Sequence, residues 1–335
     1  TLVVRQIGTP GAQLFTASGT ASGGDWLDLG GDIKSGARGA WQHRVDRLSL
    51  QMDLGQQGDL VVGRQPISWA TTLILTPGDP FSPFDPADPF REYRIGVDAA
   101  RLRFYRGQFT QLEFVARPAK VHAVGPVVPG GPPTTETMTF LARASTNWRG
   151  WDVGAWAGTL HDTFASSVFL SGALGSWALR FEGVVRDAGN RAVWRSTVGL
   201  DRIVPVAGRD LYVVLEYQRD GLGATQAADF FSVANSASFA QGEIQTLGQD
   251  VGAAQISYQL HPLVSSDLLV LGNLRDGSMV FGPGLGYSVT HSAALRLGAF
   301  LGVGEGALET QEGVVLRSEF GASPGVVFLS FNLFL

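Results

Sequence analysis

The residues that most often do chemistry are poorly assembled in this chain. Its five histidines (His43, His122, His161, His261 and His291) are scattered, and none has the H-x-x-x-H spacing of a helical metal pair. His161-Asp162 stands near Ser166 and Ser167, but a Ser-His-Asp site is made by geometry and not by adjacency. Gly302-Val303-Gly304-Glu305-Gly306 is glycine-rich, yet no helix follows it to make a phosphate cradle. Cysteine is absent, which excludes disulfides, thiolate ligands and thiol nucleophiles. The chain reads as a non-enzyme, with no cofactor and no metal expected.

Two other groupings stand out. The first is Pro-Gly-Asp-Pro-Phe-Ser-Pro-Phe-Asp-Pro-Ala-Asp-Pro-Phe-Arg-Glu-Tyr, residues 77–93, with prolines at every third position from 77 to 89. Polyproline II has three residues per turn. In that form Asp79, Asp85 and Asp88 make one edge, and Phe81, Phe84 and Phe90 another. Twelve such residues run roughly 37 Å, about one bilayer. A stiff loop results, either folded inward as a constriction or laid across a rim as a docking strip. A run of Asp-Pro and Ser-Pro turns over the rim is the plainer alternative. The three aspartates do not converge on an extended chain, so a cation site there is not expected.

The second grouping is arginine: 25 residues are basic and only Lys34 and Lys120 are lysine. Alternation puts Arg101, Arg103, Arg117, Arg143, Arg180, Arg186, Arg191, Arg195 and Arg296 on one set of faces, with Asp53, Glu113, Asp152, Glu182, Asp201 and Glu216. Arginine outnumbers acid in this set although the net charge is −5. Rings of arginine favour anions in pores. The plainer reading pairs these charges across strands, Arg117 with Glu113 or Arg180 with Glu182, because charge inside a wall must be paired or hydrated.

The elements that must carry these residues repeat one pattern, about ten residues with every second one apolar. Val327, Leu329, Phe331, Leu333 and Leu335 oppose Phe328, Ser330, Asn332 and Phe334. Strands are expected at 44–54, 58–66, 97–106, 108–117, 137–147, 150–160 and 176–186. They continue at 191–201, 210–219, 250–261, 265–275, 279–290, 293–303 and 325–335. The stretches 67–96, 118–136, 161–175, 220–249 and 304–324 read as long connections. Tight turns after 54, 106, 147 and 186 should share one end, which fourteen strands cannot satisfy if the chain also finishes there. A further strand at Asp229 to Phe239 and another before residue 44 make sixteen, with fourteen as the fallback. Trp151, Trp177, Trp194, Tyr217, Tyr258 and Tyr287 fall near strand ends, where interface aromatics belong.

No run approaches the roughly 18 apolar residues of a membrane helix. No N-terminal export signal is visible, so removal on export is presumed. Net charge argues against nucleic acid. Over about residues 44–335 the chain resembles a Gram-negative outer-membrane β-barrel, porin-like in strand count. Gly63-Arg64-Gln65-Pro66-Ile67-Ser68-Trp69 is similar to a Gly-Arg-Gln…Ser-Trp stretch of some uncharacterised or export-type barrels. Such proteins commonly finish on an aromatic residue, whereas here Phe334 is penultimate and Leu335 last.

The expectation is all-β, a single transmembrane antiparallel up-and-down barrel domain over 1–335. Segment 1–43 adds one strand, and 67–96 is a Pro/Asp/Phe-rich loop. The resemblance implies a bacterial outer-membrane channel for passive diffusion of small polar or anionic solutes. Its pore would be lined by Arg101, Arg103, Arg117, Arg143, Arg180, Arg195, Arg296, Glu113, Glu182 and Glu216. Its partners would be the lipid bilayer, and further copies or other envelope proteins. The alternative is a plugged barrel serving as scaffold in an envelope complex. A soluble secreted sandwich or propeller is a third reading.

Overall fold

The computed structural model describes residues 2–3, 24–36, 39–81, 95–122, 134–189, 191–310, 313–323 and 325–333. The first three strands, β1 (Leu2–Val3), β2 (Gly30–Gly36) and β3 (Gly39–Arg44), form a small sheet of their own. Fifteen others make one continuous sheet. They begin with β4 (Leu48–Asp53), β5 (Gly58–Gln65), β6 (Val97–Arg106), β7 (Thr110–His122) and β8 (Thr134–Trp148). The middle is β9 (Trp151–Leu160), β10 (Thr163–Leu174), β11 (Trp177–Asp187), β12 (Ala192–Val206) and β13 (Arg209–Asp220). After it come β14 (Asp250–His261), β15 (Val264–Asn273), β16 (Met279–Thr290) and β17 (Ala293–Val303). A side hairpin, β18 (Ala307–Thr310) with β19 (Gly313–Leu316), precedes the last strand, β20 (Val326–Leu333). Each sheet strand pairs antiparallel with the next, an up-and-down order. Among the described residues no ladder joins β4 to β20.

The two faces of this sheet are inverted relative to a water-soluble protein. Leu215, Ile256, Leu297 and Phe331 are exposed, and Val327 and Leu329 keep 73% and 70% of their surface. Glu113 and Glu182, on the opposite face, keep none. Buried charge and exposed aliphatics reverse the usual partition. They are what a barrel in hydrocarbon requires. Twisted sheets rarely exceed about ten strands without curling, and here the polar face is the inner one. Trp151, Trp177, Trp194, Tyr217, Tyr258 and Tyr287 all share the outer face by register.

Sequence reading placed a connection at 161–175, and this is corrected: Thr163–Leu174 is a strand. His161 and Asp162 make its two-residue turn, both at positive φ (46° and 65°), the geometry usually given to glycine and asparagine. The expected strand at Asp229 to Phe239 is instead two short helices, Phe230–Ala234 and Ala237–Ala240. With the strand at 163–174 restored, the turn after 187 falls at the opposite end from those after 53, 106 and 148. Strand ends at the first pole are then joined by two to four residues: 54–57, 107–109, 149–150, 175–176, 207–208, 262–263 and 291–292. The strand ends that flank the long connections 66–96, 123–133, 221–249 and 304–325 all lie at the other pole.

Near the long-loop pole the outer face carries one buried ion pair. Arg64 Nε and Nη2 donate to Asp98 at 2.8 Å each. Residues 25–29 cover it: the Trp26 and Leu27 amides donate to Asp98, and Arg64 donates to Leu27 O. Lys120 Nζ sits 4.7 Å from the Trp26 ring centre. These charges are paired and roofed before they reach the level where lipid would meet them.

Candidate functional site

Residues 66–81 leave β5 and turn onto the polar face. Backbone amides in a loop need acceptors, and two wall carboxylates supply them. Glu182 Oε1 on β11 accepts from the Thr72 amide at 2.8 Å and from Thr71; its Oε2 accepts from Gly78 at 2.7 Å. Glu216 on β13 accepts from Leu73 at 2.6 Å, Ile74 at 3.0 Å and Leu75 at 2.7 Å. Six amides thus converge on two carboxylates, and hydrogen bonds to charged groups contribute about 1.5–3 kcal/mol each. Gly78 is required at its position: a Cβ there would lie 2.7 Å from Glu182 Oε2.

Aromatic packing fixes the rest of the loop. Trp69 donates to Glu113 Oε1 on β7 at 2.8 Å, and Trp156 on β9 donates to Gly78 O at 2.9 Å. Phe81 meets Trp69 edge-on at 4.8 Å between centres. Ile67, Trp69 and Phe81 pack with Val97, Leu141 and Val184, from β6 to β11. Ile74 and Leu75 pack with Val251, Leu271 and Val280, from β14 to β16. The loop therefore ties one side of the inner wall to the other.

Two more connections pack inward beside it. Gln245 exchanges hydrogen bonds with the backbone of Thr76 and Ile74. Glu243 takes Arg186 in a two-point pair at 3.0 Å per bond, and Arg195 donates to its carbonyl at 2.6 Å. Glu319, from the connection before β20, accepts from Leu247, Gly248 and Asn273 at 2.6, 3.0 and 2.9 Å. Phe320 joins the cluster containing Ile74 and Leu75.

All ten residues expected to line a pore lie on this polar face. Arg101 pairs with Glu113 at 2.7 Å and Arg180 with Asp201 at 2.6 Å. Arg103 pairs with Asp59 at 2.6 Å and Arg296 with Asp267 at 3.0 Å. Arg195 takes Asp220 at 2.7 Å. Arg143 lies 4.6 Å from the Phe169 ring centre and 5.9 Å from that of Trp69, a cation–π placement. Arg117 is 2% exposed. The expected pairings Arg117–Glu113 and Arg180–Glu182 give way to these, because Glu113 serves Arg101 and Trp69 while Glu182 serves the loop. Asp59, Asp220 and Asp267 add acid that the sequence reading did not count, and Arg191 lies in a turn, so the expected arginine excess disappears.

Of the proline-rich segment, Asp79 and Phe81 are both 3% exposed. Phe84, Asp85, Asp88 and Phe90 lie outside the described residues, and the period-three helix with them. The described part turns rather than extends, since the Asp79 amide donates to Thr76 O at 3.2 Å. Sequence reasoning missed Trp69, Trp156, Gln245 and Glu319. The Pro77-Gly78 turn was a signal for the loop, but a carboxylate that caps amides a hundred residues away has none.

The water-accessible polar groups of the inner face lie toward the tight-turn pole. Arg101, Arg103, Arg180 and Arg296 keep 17%, 23%, 26% and 38% of their side-chain surface. Asp53 and Gln259 are exposed. The inner face is thus hydrated at one pole and filled by three loops at the other.

No family model matches the chain, and no curated protein does. Several solved outer-membrane proteins resemble it in shape. The outer membrane protein opdK from Pseudomonas aeruginosa is 12% identical with a TM-score of 0.48, covering 83% of this chain and 76% of that one. Acinetobacter baumannii OccAB4 is 11% identical with a TM-score of 0.46, over 82% and 72%. An anion-selective porin from Comamonas acidovorans is 10% identical with a TM-score of 0.42, over 88% and 92%. At these identities and scores the likenesses carry no argument about solute or mechanism.

Proposed function

We infer that the protein is a porin-like channel of a bacterial outer membrane, passing small polar solutes with a constriction at the 66–81 loop. One observation carries this reading: an inverted sheet holds a loop across its polar face by six amide bonds to Glu182 and Glu216. An apolar outer band supports burial in lipid. A hydrated, charged inner face supports solute passage. A loop pinned between two walls narrows the path without closing it by covalent means.

Charge preference is assigned to Arg101, Arg103, Arg180 and Arg296, the arginines that water reaches. Each has a carboxylate partner, so no marked preference for anions or cations is expected. The scaffold reading needs outward docking loops, whereas Phe230, Leu247, Glu319 and Phe320 of those connections are buried.

Planar-bilayer recording tests the channel. Purified protein should give stable conductance steps with a reversal potential near zero in a KCl gradient. The double variant Glu182→Gln/Glu216→Gln should give larger or noisier steps, because each amide side chain keeps a single acceptor oxygen. A folded, inserted protein that passes no current would overturn the channel. Unchanged steps in the double variant would remove the loop from the constriction.

A further inference from the structure

An apolar depression of about 450 Å³ opens on the outer face of β12–β16, with Val198 and Leu200 at its β12 edge. Leu215 and Tyr217 form one side, Leu274 and Met279 the other, and Gly252 and Gly272 the floor. Register explains the hollow: Tyr217 stands opposite Gly252, and Gly252 opposite Gly272. Two glycines between large side chains leave a furrow.

A charged cluster closes the end of the furrow toward the long-loop pole. Arg219 lies two residues beyond Tyr217 on the same face, and Asp250 two residues before Gly252, a distance of about 7 Å along each strand. Asp250 Oδ1 accepts from Tyr217 Oη at 2.7 Å and from Arg219 Nη1 at 2.9 Å. Its Oδ2 accepts from Arg275 Nε at 2.6 Å. Arg275, next to Leu274, also donates to Gln249. Two guanidiniums share one carboxylate, which leaves an excess of one positive charge. Half of the Arg219 side chain and 40% of that of Arg275 remain exposed.

We propose that this furrow and its arginine pair bind an anionic phospholipid, with an acyl chain in the furrow and the phosphate of a head group that carries no compensating cation against Arg219 and Arg275. The proposal rests on the membrane reading above. Arginine forks suit phosphate oxygens. The cluster sits at the strand ends, the level of lipid head groups, and the furrow runs from it toward mid-strand. Charge decides against a second copy as the occupant. A two-fold contact would place this net positive patch against itself.

Native mass spectrometry of the detergent-purified protein is the test, with phosphatidylglycerol and phosphatidylcholine of matched chains as probes. Phosphatidylglycerol should be retained about tenfold more than phosphatidylcholine. Arg219→Gln/Arg275→Gln should abolish that preference while the heat-modifiable, folded band persists. Gly252→Val/Gly272→Val should lower retention of both lipids. The backbone accepts these side chains, since a Cβ at Gly252 would lie 3.7 Å from Leu274 and one at Gly272 3.5 Å from Met279. Equal retention of the two lipids by the unmodified protein would overturn the proposal. So would unchanged retention in the valine variant, or efficient disulfide dimerisation of Tyr217→Cys in the bilayer. A protein that stays soluble without detergent would instead remove the membrane reading beneath it.

Discussion

At the scale of single residues, the recurring device is a buried carboxylate that accepts backbone amides from a distant loop. Glu182, Glu216 and Glu319 each do so. An ionised carboxylate in a dry setting is costly unless several donors meet it. Glu319 lies outside the strands and is wholly buried, and burial, with Asp276 adding to it, pushes its carboxyl up to about 7 from 4.5. The bonds from Leu247, Asn273 and Gly248 act in the opposite direction. A carboxyl whose folded pKa is raised binds more protons folded than unfolded, so stability falls as pH rises between the two values. The urea midpoint of the detergent-folded protein should therefore drop from pH 4.5 to about 7. Glu319→Gln should flatten that part of the profile; an identical slope in the variant would rule the carboxyl out as its source.

At the scale of elements, the hairpins explain both what could be read from the chain and what could not. Alternation located fourteen of the fifteen sheet strands, because Leu48-Leu50-Met52 or Leu295-Leu297 facing lipid leaves a period-two trace in any sequence. Strand β10 escaped because its turn, His161-Asp162, lacks glycine, and because Ser166 and Gly172 dilute its apolar face. The 229–239 stretch misled for the reverse reason, since Phe230, Phe231 and Val233 are apolar enough for a strand yet lie in a short helix that buries Phe230 and leaves Phe231 exposed. Contacts such as Trp69 with Glu113 join residues 44 positions apart and leave no local pattern at all. The β12–β13 turn carries a related strain: Ala207 holds φ at 50° before Gly208 at 77°. A left-handed conformation costs an L-residue about 1–2 kcal/mol, and asparagine tolerates it better. Ala207→Asn should raise stability by about 0.5–1 kcal/mol in urea unfolding; a loss would mean that position 207 does not hold a left-handed backbone.

At the scale of the whole molecule, the two faces of one strand make opposite demands, and β20 puts them side by side. Leu329 is 70% exposed in mid-strand, among Val327, Phe331 and Leu333 on the outer face. Its neighbour Ser330 points inward and stands directly opposite Arg296 in register. In a bilayer a cationic side chain at the outer midplane costs about 2–4 kcal/mol, while inner-face changes are tolerated. Leu329→Arg should therefore lower folding stability in lipid vesicles by about 2–4 kcal/mol. Ser330→Asp should cost under about 1 kcal/mol, because the new carboxylate gains Arg296 as a cross-strand partner. Charge introduced at adjacent positions thus separates the orientation of the wall from any general sensitivity of the last strand. Equal losses at the two positions would mean that β20 does not present one face to lipid and the other to water, and the channel reading would fall with it.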